Sequence, residues 1–411
     1  QQELLAKLIE KLPAHEGGIR FLIDPSQWTG KKTYGRSRTL CLLLSVGYRS
    51  VVMDDDVLCQ AVQPPLRAAN MALSGERRAW FFPDRETLLA SAQPADFDPI
   101  TGHLRCLGAN LGDALTDLHG RPFTAQDLLH CNAAMLNELS MDSPVLVTQC
   151  GTWGDPGTGN VHWVTNLGED SIERLVNAPN GMANALENRC TWVGCPQPTL
   201  HKMAVMSQIT GIDHSRLLPP YFPAFRGEDL LFGAMIESMY HHGAVIEYEW
   251  AVPHLPVDDR AGPGLRAPMA GQGGIALFAR YLTENINYKD ASDALRKLHF
   301  MAEDARRLAA RSDEDLVLDY RREQAKAQAQ QLYQLRLQRR RADELPSQNW
   351  QSYLDRGVEE VSQSLQKAHS PLDIDGVSAA SEAELITEFR HLATGWANAL
   401  DAWPAMREQM A

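Results

Sequence analysis

Three acidic residues in a row follow a short apolar segment. Asp54, Asp55 and Asp56 come directly after the apolar residues 50–53. Neighbouring carboxylates raise one another's pKa unless a cation neutralises them. Hard oxygen ligands suit Mn²⁺ or Mg²⁺, and these ions often join protein carboxylates to a diphosphate. The run therefore predicts a divalent metal site, and the alternative is an acidic surface turn after a strand.

A second acidic pair and a histidine lie farther along the chain. Glu228 and Asp229 precede an apolar helical segment, where the helix dipole stabilises an ionised carboxylate that can accept a proton from a hydroxyl. An ordinary acidic first turn is the alternative. His254 lies between Pro253 and Pro256, in a rigid extended segment, and neutral imidazole is a metal ligand. A structural role is the alternative for this histidine.

These residues need elements that hold them. The pattern predicts a helix over 4–12, a strand over 19–23 that ends at Asp24, a helix over 40–46 and a strand over 50–53. This alternation is typical of an α/β domain with parallel strands, whose ligands gather where the strands end. In the middle of the chain only residues 145–149 are predicted as a strand.

The last part of the sequence is predicted to be entirely helical. Glycines and prolines become rare after residue 274, and residues 313–341 are rich in Gln, Ala and Arg. Ser312 with Asp315 and Ser381 with Glu384 fit the capping-box pattern of helix starts. One helical face then carries the large apolar residues Leu385, Phe389, Leu392, Trp396, Leu400 and Trp403.

Composition excludes some classes of protein. The 39 basic and 52 acidic residues give a net charge of −13, which disfavours binding to nucleic acid or anionic membranes. Apolar runs such as residues 40–46 are far shorter than the about 18 residues that span a bilayer, so no transmembrane segment is predicted. The seven cysteines lack a CxxC pair, which indicates neither a disulfide framework nor a zinc site and favours a reducing, cytoplasmic location.

The segment from Gly35 to Asp56 resembles the donor-binding part of family-2-like GT-A glycosyltransferases. Those enzymes carry a basic residue before a helix, then a strand, then a DxD motif that holds a metal on the donor diphosphate. The resemblance implies that Asp54 and Asp56 bind Mn²⁺ or Mg²⁺. It also assigns Arg36, Arg38 and Asp55 to the nucleotide-sugar donor, with Arg38 facing the diphosphate.

Two later segments extend the resemblance. Glu228 and Asp229 are similar to the family's ED motif, which makes Asp229 the catalytic base, with Glu228 beside it. His254 is similar to the later histidine that completes the metal site in many members. Asp24 matches a position that contacts the nucleotide base or ribose.

The resemblance implies a GT-A Rossmann-like catalytic domain over residues 1–280, with the family's first strand missing before residue 4, and a helical domain over 281–411. The implied activity is inverting transfer from a UDP- or GDP-sugar to a hydroxyl of an unidentified glycan, protein or lipid-linked acceptor, with retention left open. The helical tail is a candidate for homo-oligomerisation. Two alternatives are a haloacid-dehalogenase-like phosphohydrolase, disfavoured because Leu58 occupies its hydroxyl position, and an inactive transferase-fold scaffold.

Overall fold

The computed structural model describes residues 2–128, 131–205, 208–257, 264–270, 293–345, 347–367 and 381–411. The chain is an α/β protein with one seven-stranded sheet and a helical C-terminal region. The strands are β1 (Arg49–Met53), β2 (Arg78–Phe81), β3 (Val145–Gly154), β4 (Thr191–Gly194), β5 (Thr199–His201), β6 (Ile209–Asp213) and β7 (Ala244–His254).

Helices precede, separate and follow these strands. Before β3 they are α1 (Gln2–Lys11), α2 (Glu16–Ile23), α3 (Tyr34–Leu44), α4 (Arg85–Ser91), α5 (Pro99–Leu104), α6 (Leu111–His119) and α7 (Ala133–Glu138). After β3 they are α8 (Glu169–Val176), α9 (Gly181–Glu187), α10 (Glu228–Met239), α11 (Ala294–Ala309), α12 (Asp313–Arg341), α13 (Gln348–Gln366) and α14 (Glu382–Glu408).

The long strand β3 is the centre of the sheet. It pairs in parallel with β7, while β6 and β4 pair with successive parts of its other edge in the antiparallel direction. The pairs β1–β6, β2–β4 and β5–β7 are antiparallel as well. The prediction of parallel strands is therefore wrong except for β3 and β7, and the GT-A Rossmann-like fold is not confirmed. Strand direction depends on where each connection returns, and local patterns do not encode that.

The predicted strand over residues 19–23 is helix α2. Its apolar side chains Ile19, Phe21, Leu22 and Ile23 are buried, and periodicity cannot distinguish a short buried strand from a buried helix of this length. Gly18 lies inside this helix, and a Cβ at this position would lie 2.2 Å from the carbonyl oxygen of Asn398 on α14. The glycine thus allows two helices to pack closely.

Other predictions of local structure are confirmed. The predicted helices over 4–12 and 40–46 correspond to α1 and α3. The predicted strands over 50–53 and 145–149 correspond to β1 and β3. The Ser312 hydroxyl accepts a hydrogen bond from the Asp315 amide at 3.1 Å, and Ser381 caps α14 in the same way through Glu384. The predicted apolar face of α14 is buried, with Phe389 partly so.

The C-terminal helices do not stand apart from the rest of the chain. Helix α14 packs against α2 and α11, and Trp396 and Trp403 are buried in one hydrophobic cluster with residues of α3 and α10. The proposed boundary at residue 280 lies within 271–292, outside the described residues, so the division into domains stays a prediction. No helix among the described residues is long and apolar enough to cross a membrane.

Candidate functional site

A cleft of about 680 Å³ brings together most of the residues that the sequence singles out. It lies where α3, the segment after β1, the start of α10 and the end of β7 meet. Seven of the nine predicted site residues line it: Arg38, Asp54, Asp55, Asp56, Glu228, Asp229 and His254.

Backbone hydrogen bonds position the aspartate run beside β7. The Asp54 amide donates to the carbonyl of Gln208 at 2.9 Å, just before β6. The Leu58 amide donates to Pro253 at 2.9 Å, and the Leu255 amide donates to the carbonyl of Asp56 at 3.1 Å. The segment after β1 is therefore tied to the end of β7, which places Asp56 next to His254.

Asp56 and His254 contact each other in the cleft. The Nδ1 atom of His254 lies 2.6 Å from the carbonyl oxygen of Asp155 and donates a proton to it. The Nε2 atom of the same ring lies 3.1 Å from Oδ1 of Asp56. At that distance the two atoms are joined either by a proton on Nε2 or by a cation between them. Neighbouring ligands of an octahedral Mg²⁺ lie about 3 Å apart, so the pair fits such an ion.

Asp54 does not complete this pair. Its Oδ1 lies 3.1 Å from Nη2 of Arg38, and it does not join Asp56 and His254 in one set of converging ligand atoms. The structure therefore brings together two of the three predicted metal ligands, and the third side chain pairs with a guanidinium.

Arg38 lies among three carboxylates. Its Nη1 is 2.7 Å from Asp229 and 3.1 Å from Glu228, and its side chain is only 12% exposed. Burial opposes the charge of Arg38, yet the surrounding acidic groups, Asp229 above all, raise its pKa above the ordinary value. Arg38 thus holds Asp54, Glu228 and Asp229 close to one another.

The two carboxylates at the start of α10 differ in exposure. Burial raises the pKa of Glu228 to about 7, and the charge of Asp229 adds to this effect. Burial also raises the pKa of Asp229, although Arg38 opposes the rise. The Asp229 side chain is 33% exposed and that of Glu228 only 3%. Of the two, Asp229 is therefore the carboxylate that a molecule in the cleft can reach.

A close approach of α3 to the segment before α10 keeps Arg38 in place. A Cβ at Gly35 would lie 1.9 Å from the carbonyl oxygen of Phe222. The Arg36 amide donates to the carbonyl of Pro223 at 3.0 Å. Any larger residue at position 35 would push α3, and with it Arg38, away from Glu228 and Asp229.

Asp24 and Arg36 are not among the residues that line the cleft. Asp24 ends helix α2 and caps the short 3₁₀ helix that follows, where its carboxylate accepts hydrogen bonds from the amide and hydroxyl of Ser26 at 2.9 and 2.7 Å. Arg20 pairs with it at 3.0 Å. The contact of Asp24 with a nucleotide was predicted from a strand that is a helix in the structure.

Sequence patterns missed the residues that orient His254. Asp155 presents its carbonyl to the imidazole, and Arg189 holds the Asp155 carboxylate through two contacts of 2.6 and 2.7 Å. These hydrogen bonds lower the pKa of Asp155 despite its burial. The Asp-Pro-Gly sequence at 155–157 signals a turn, whereas no local pattern links it to an arginine 34 residues away.

The cleft carries an excess of negative charge. Among the described residues that line it are six carboxylates and three guanidiniums, the latter from Arg38, Arg77 and Arg226.

Comparison with protein-family models, curated proteins and solved structures finds no match for this chain. The chemistry of the cleft therefore has to be inferred from the residues that line it.

Proposed function

We propose that this protein is a metal-dependent glycosyltransferase that moves a sugar from a nucleotide-diphosphate donor to an acceptor hydroxyl. The observation that carries the proposal is the Asp56–His254 pair, which shares one cleft with the accessible carboxylate Asp229. The largely antiparallel sheet fits a GT-A Rossmann-like fold poorly, so the proposal rests on the cleft and on the resemblance of its motifs.

Asp56 and His254 would hold Mn²⁺ or Mg²⁺, which, when bound, offsets the negative charge of the departing diphosphate. The carboxylates of the cleft outnumber its guanidiniums, so an anionic diphosphate is repelled unless a cation is present. Donor binding is therefore expected to depend on the metal. UDP- and GDP-sugars are the donors that the resemblance favours.

Asp229 would act as the general base. Its raised pKa makes it a stronger proton acceptor than an ordinary aspartate. The acceptor oxygen forms a bond to the anomeric carbon while the bond to the diphosphate oxygen breaks, and the hydroxyl proton passes to Asp229. Attack from the face opposite the diphosphate inverts the anomeric centre. Arg38 keeps the Asp229 carboxylate in place during this transfer.

Thermal unfolding with UDP-, GDP-, CMP- and dTDP-sugars, with and without Mn²⁺, tests the proposal. A donor present at about 100 times its Kd stabilises the folded state by about 2.7 kcal/mol and raises the Tm. We expect a Mn²⁺-dependent rise with one nucleotide class, lost in Asp56→Asn. The control Asp113→Asn changes an exposed aspartate on α6, outside the cleft, and should behave like the wild type.

Other outcomes would replace the proposal. Metal-dependent hydrolysis of simple phosphate esters that requires Asp54, without any donor shift, would support the phosphohydrolase alternative. A chain that binds neither metal nor nucleotide would support the inactive scaffold.

The proposed location is the cytoplasm, in keeping with the seven free cysteines, which suit a reducing compartment.

Homo-oligomerisation through the helical tail stays a prediction. Sedimentation analysis of the full chain would show whether copies associate.

A further inference from the structure

Three potential metal ligands converge on the sheet, away from the Asp56–His254 pair. They are Cys195, directly after β4, His201 on β5 and Glu247 on β7, and their ligand atoms all lie within 4.8 Å of one another. In the antiparallel β5–β7 pair, Thr199 lies opposite Glu247. His201 is two residues from Thr199, so it shares a face of the sheet with Glu247.

The distances suit a tetrahedral ion. The Cys195 Sγ atom lies 3.9 Å from Nε2 of His201, and this Nε2 lies 3.4 Å from Oε2 of Glu247. With Zn–S bonds of about 2.3 Å and Zn–N or Zn–O bonds of about 2.0 Å, tetrahedral ligand atoms are separated by about 3.3 to 3.6 Å. The His201 and Glu247 atoms are therefore at that spacing, and the Cys195 Sγ atom lies within 4.8 Å of both.

The surroundings of Glu247 also fit a metal ligand. The side chain is 1% exposed, and Nε of Arg77 lies 2.8 Å from Oε1 and 3.0 Å from Oε2. Oε1 is buried and accepts no hydrogen bond of good geometry from the described residues. Carboxylates that bind metals are themselves held by hydrogen bonds from a second group, and Arg77 occupies that position. The His201 side chain is 23% exposed, which leaves a route from solvent.

We propose that Cys195, His201 and Glu247 form a zinc site with three protein ligands and a fourth position open to water. A thiolate favours Zn²⁺ over Mg²⁺ or Mn²⁺, whereas the carboxylate and imidazole of the cleft suit the harder ions. None of the three ligands lines the cleft of the proposed glycosyl transfer, so zinc binding does not depend on that function. Arg77 contacts Glu247 and also lines the cleft, so the two sites are neighbours.

Binding at this site releases a proton. When the sulfur–zinc bond forms, the sulfhydryl proton of Cys195 passes to solvent.

Titration of the metal-free full chain with Co²⁺, followed by optical absorption, tests the site. A cobalt–thiolate bond produces an intense near-ultraviolet charge-transfer band. We expect this band to saturate at one equivalent and to disappear when Zn²⁺, but not Mg²⁺, is added. Cys195→Ser should abolish it. The matched control Cys190→Ser removes another buried cysteine that lies outside the cluster and should retain it, as should Asp56→Asn.

Glu247→Gln keeps the shape of the side chain and should weaken Co²⁺ binding at least tenfold. Mutation of a residue that only hydrogen-bonds to a metal ligand already lowers metal affinity about 10- to 100-fold, and Glu247 is itself a proposed ligand. Circular dichroism of each variant confirms folding. If Cys195→Ser does not fold, the stoichiometry and zinc competition of the wild type together with Glu247→Gln decide the question. Absence of the band in the wild type, its persistence in a folded Cys195→Ser chain, or equal affinity in Glu247→Gln would overturn the proposal.

Discussion

Replacing Arg38 by methionine should destabilise the protein in a pH-dependent manner. The guanidinium lies 2.7 to 3.1 Å from Asp229, Glu228 and Asp54, and both Arg38 and Glu228 are largely buried. Methionine has a similar length but leaves the three carboxylates without their cation. The variant thus tests whether Arg38 holds this acidic cluster together.

The size of the effect follows from burial. The Coulomb attraction between two opposite unit charges about 3 Å apart is about 5 kcal/mol at an effective dielectric constant of 20. The cost of removing the two ions from water offsets much of this attraction. Removing one partner of a buried pair costs about 3 to 5 kcal/mol, and Asp54 and Asp229 are each about a third exposed, so their share is reduced. We expect the free energy of unfolding to fall by about 3 kcal/mol at pH 7.5.

The sign of the pH dependence is determined by the carboxylates. Without Arg38 the pKa values of Glu228 and Asp229 rise further, so at pH 5 these two groups take up protons and lose their mutual repulsion. The destabilisation at pH 5 should therefore be below about 2 kcal/mol. Arg38→Lys keeps the charge and should lose less than half as much stability as Arg38→Met, although it lacks the planar fork.

Urea denaturation at both pH values provides the measurement. Arg105→Met is the control, because Arg105 and Asp117 form a pair in which both side chains are 51% exposed, and its loss should cost below about 1 kcal/mol. An Arg38→Met chain that loses no more stability than this control, or loses as much at pH 5 as at pH 7.5, would refute the reasoning.

Three further predictions concern the cleft. Asp229→Asn should lower kcat by about 10²- to 10⁴-fold while leaving the donor-induced Tm shift in place, since it removes the base; nucleotide release assays check this. Arg189→Met should weaken Mn²⁺ binding by about 10- to 100-fold in calorimetry, because Asp155 then orients His254 less firmly. The pKa of Glu228 is raised from 4.5 to about 7, so its protonated form contributes stability that is present below pH 4.5 and is lost as the pH rises to about 7. Glu228→Gln should remove this dependence, at most about 3 kcal/mol, from denaturation curves at pH 4.5 and 7.5.

Local patterns were sufficient where the physical cause is local. The aspartate run after β1 and the acidic start of α10 are each visible within a few residues, and both line the cleft. The Ser312 and Ser381 caps are also local, because the hydroxyl and the amide that it accepts from are three residues apart.

Contacts between distant segments were beyond the reach of these patterns. Residues 19–23 belong to helix α2, which packs against α14, and Asp24 therefore follows a helix and not a strand. The carboxylate of Asp54 turned to Arg38, although its position in the motif predicted a metal ligand. In both cases the neighbour that decided the outcome belongs to another element.

The sequence by itself therefore determined the α/β class, the helical tail and the residue types of the cleft, because periodicity, caps and charge runs act over one or two turns of chain. Only the tertiary structure decided the antiparallel sheet, the pairing of His254 with Asp56 and the meeting of Cys195, His201 and Glu247. The reason is that strand order and strand direction depend on the burial of a shared hydrophobic core. Residues hundreds of positions apart in the sequence contribute to that core.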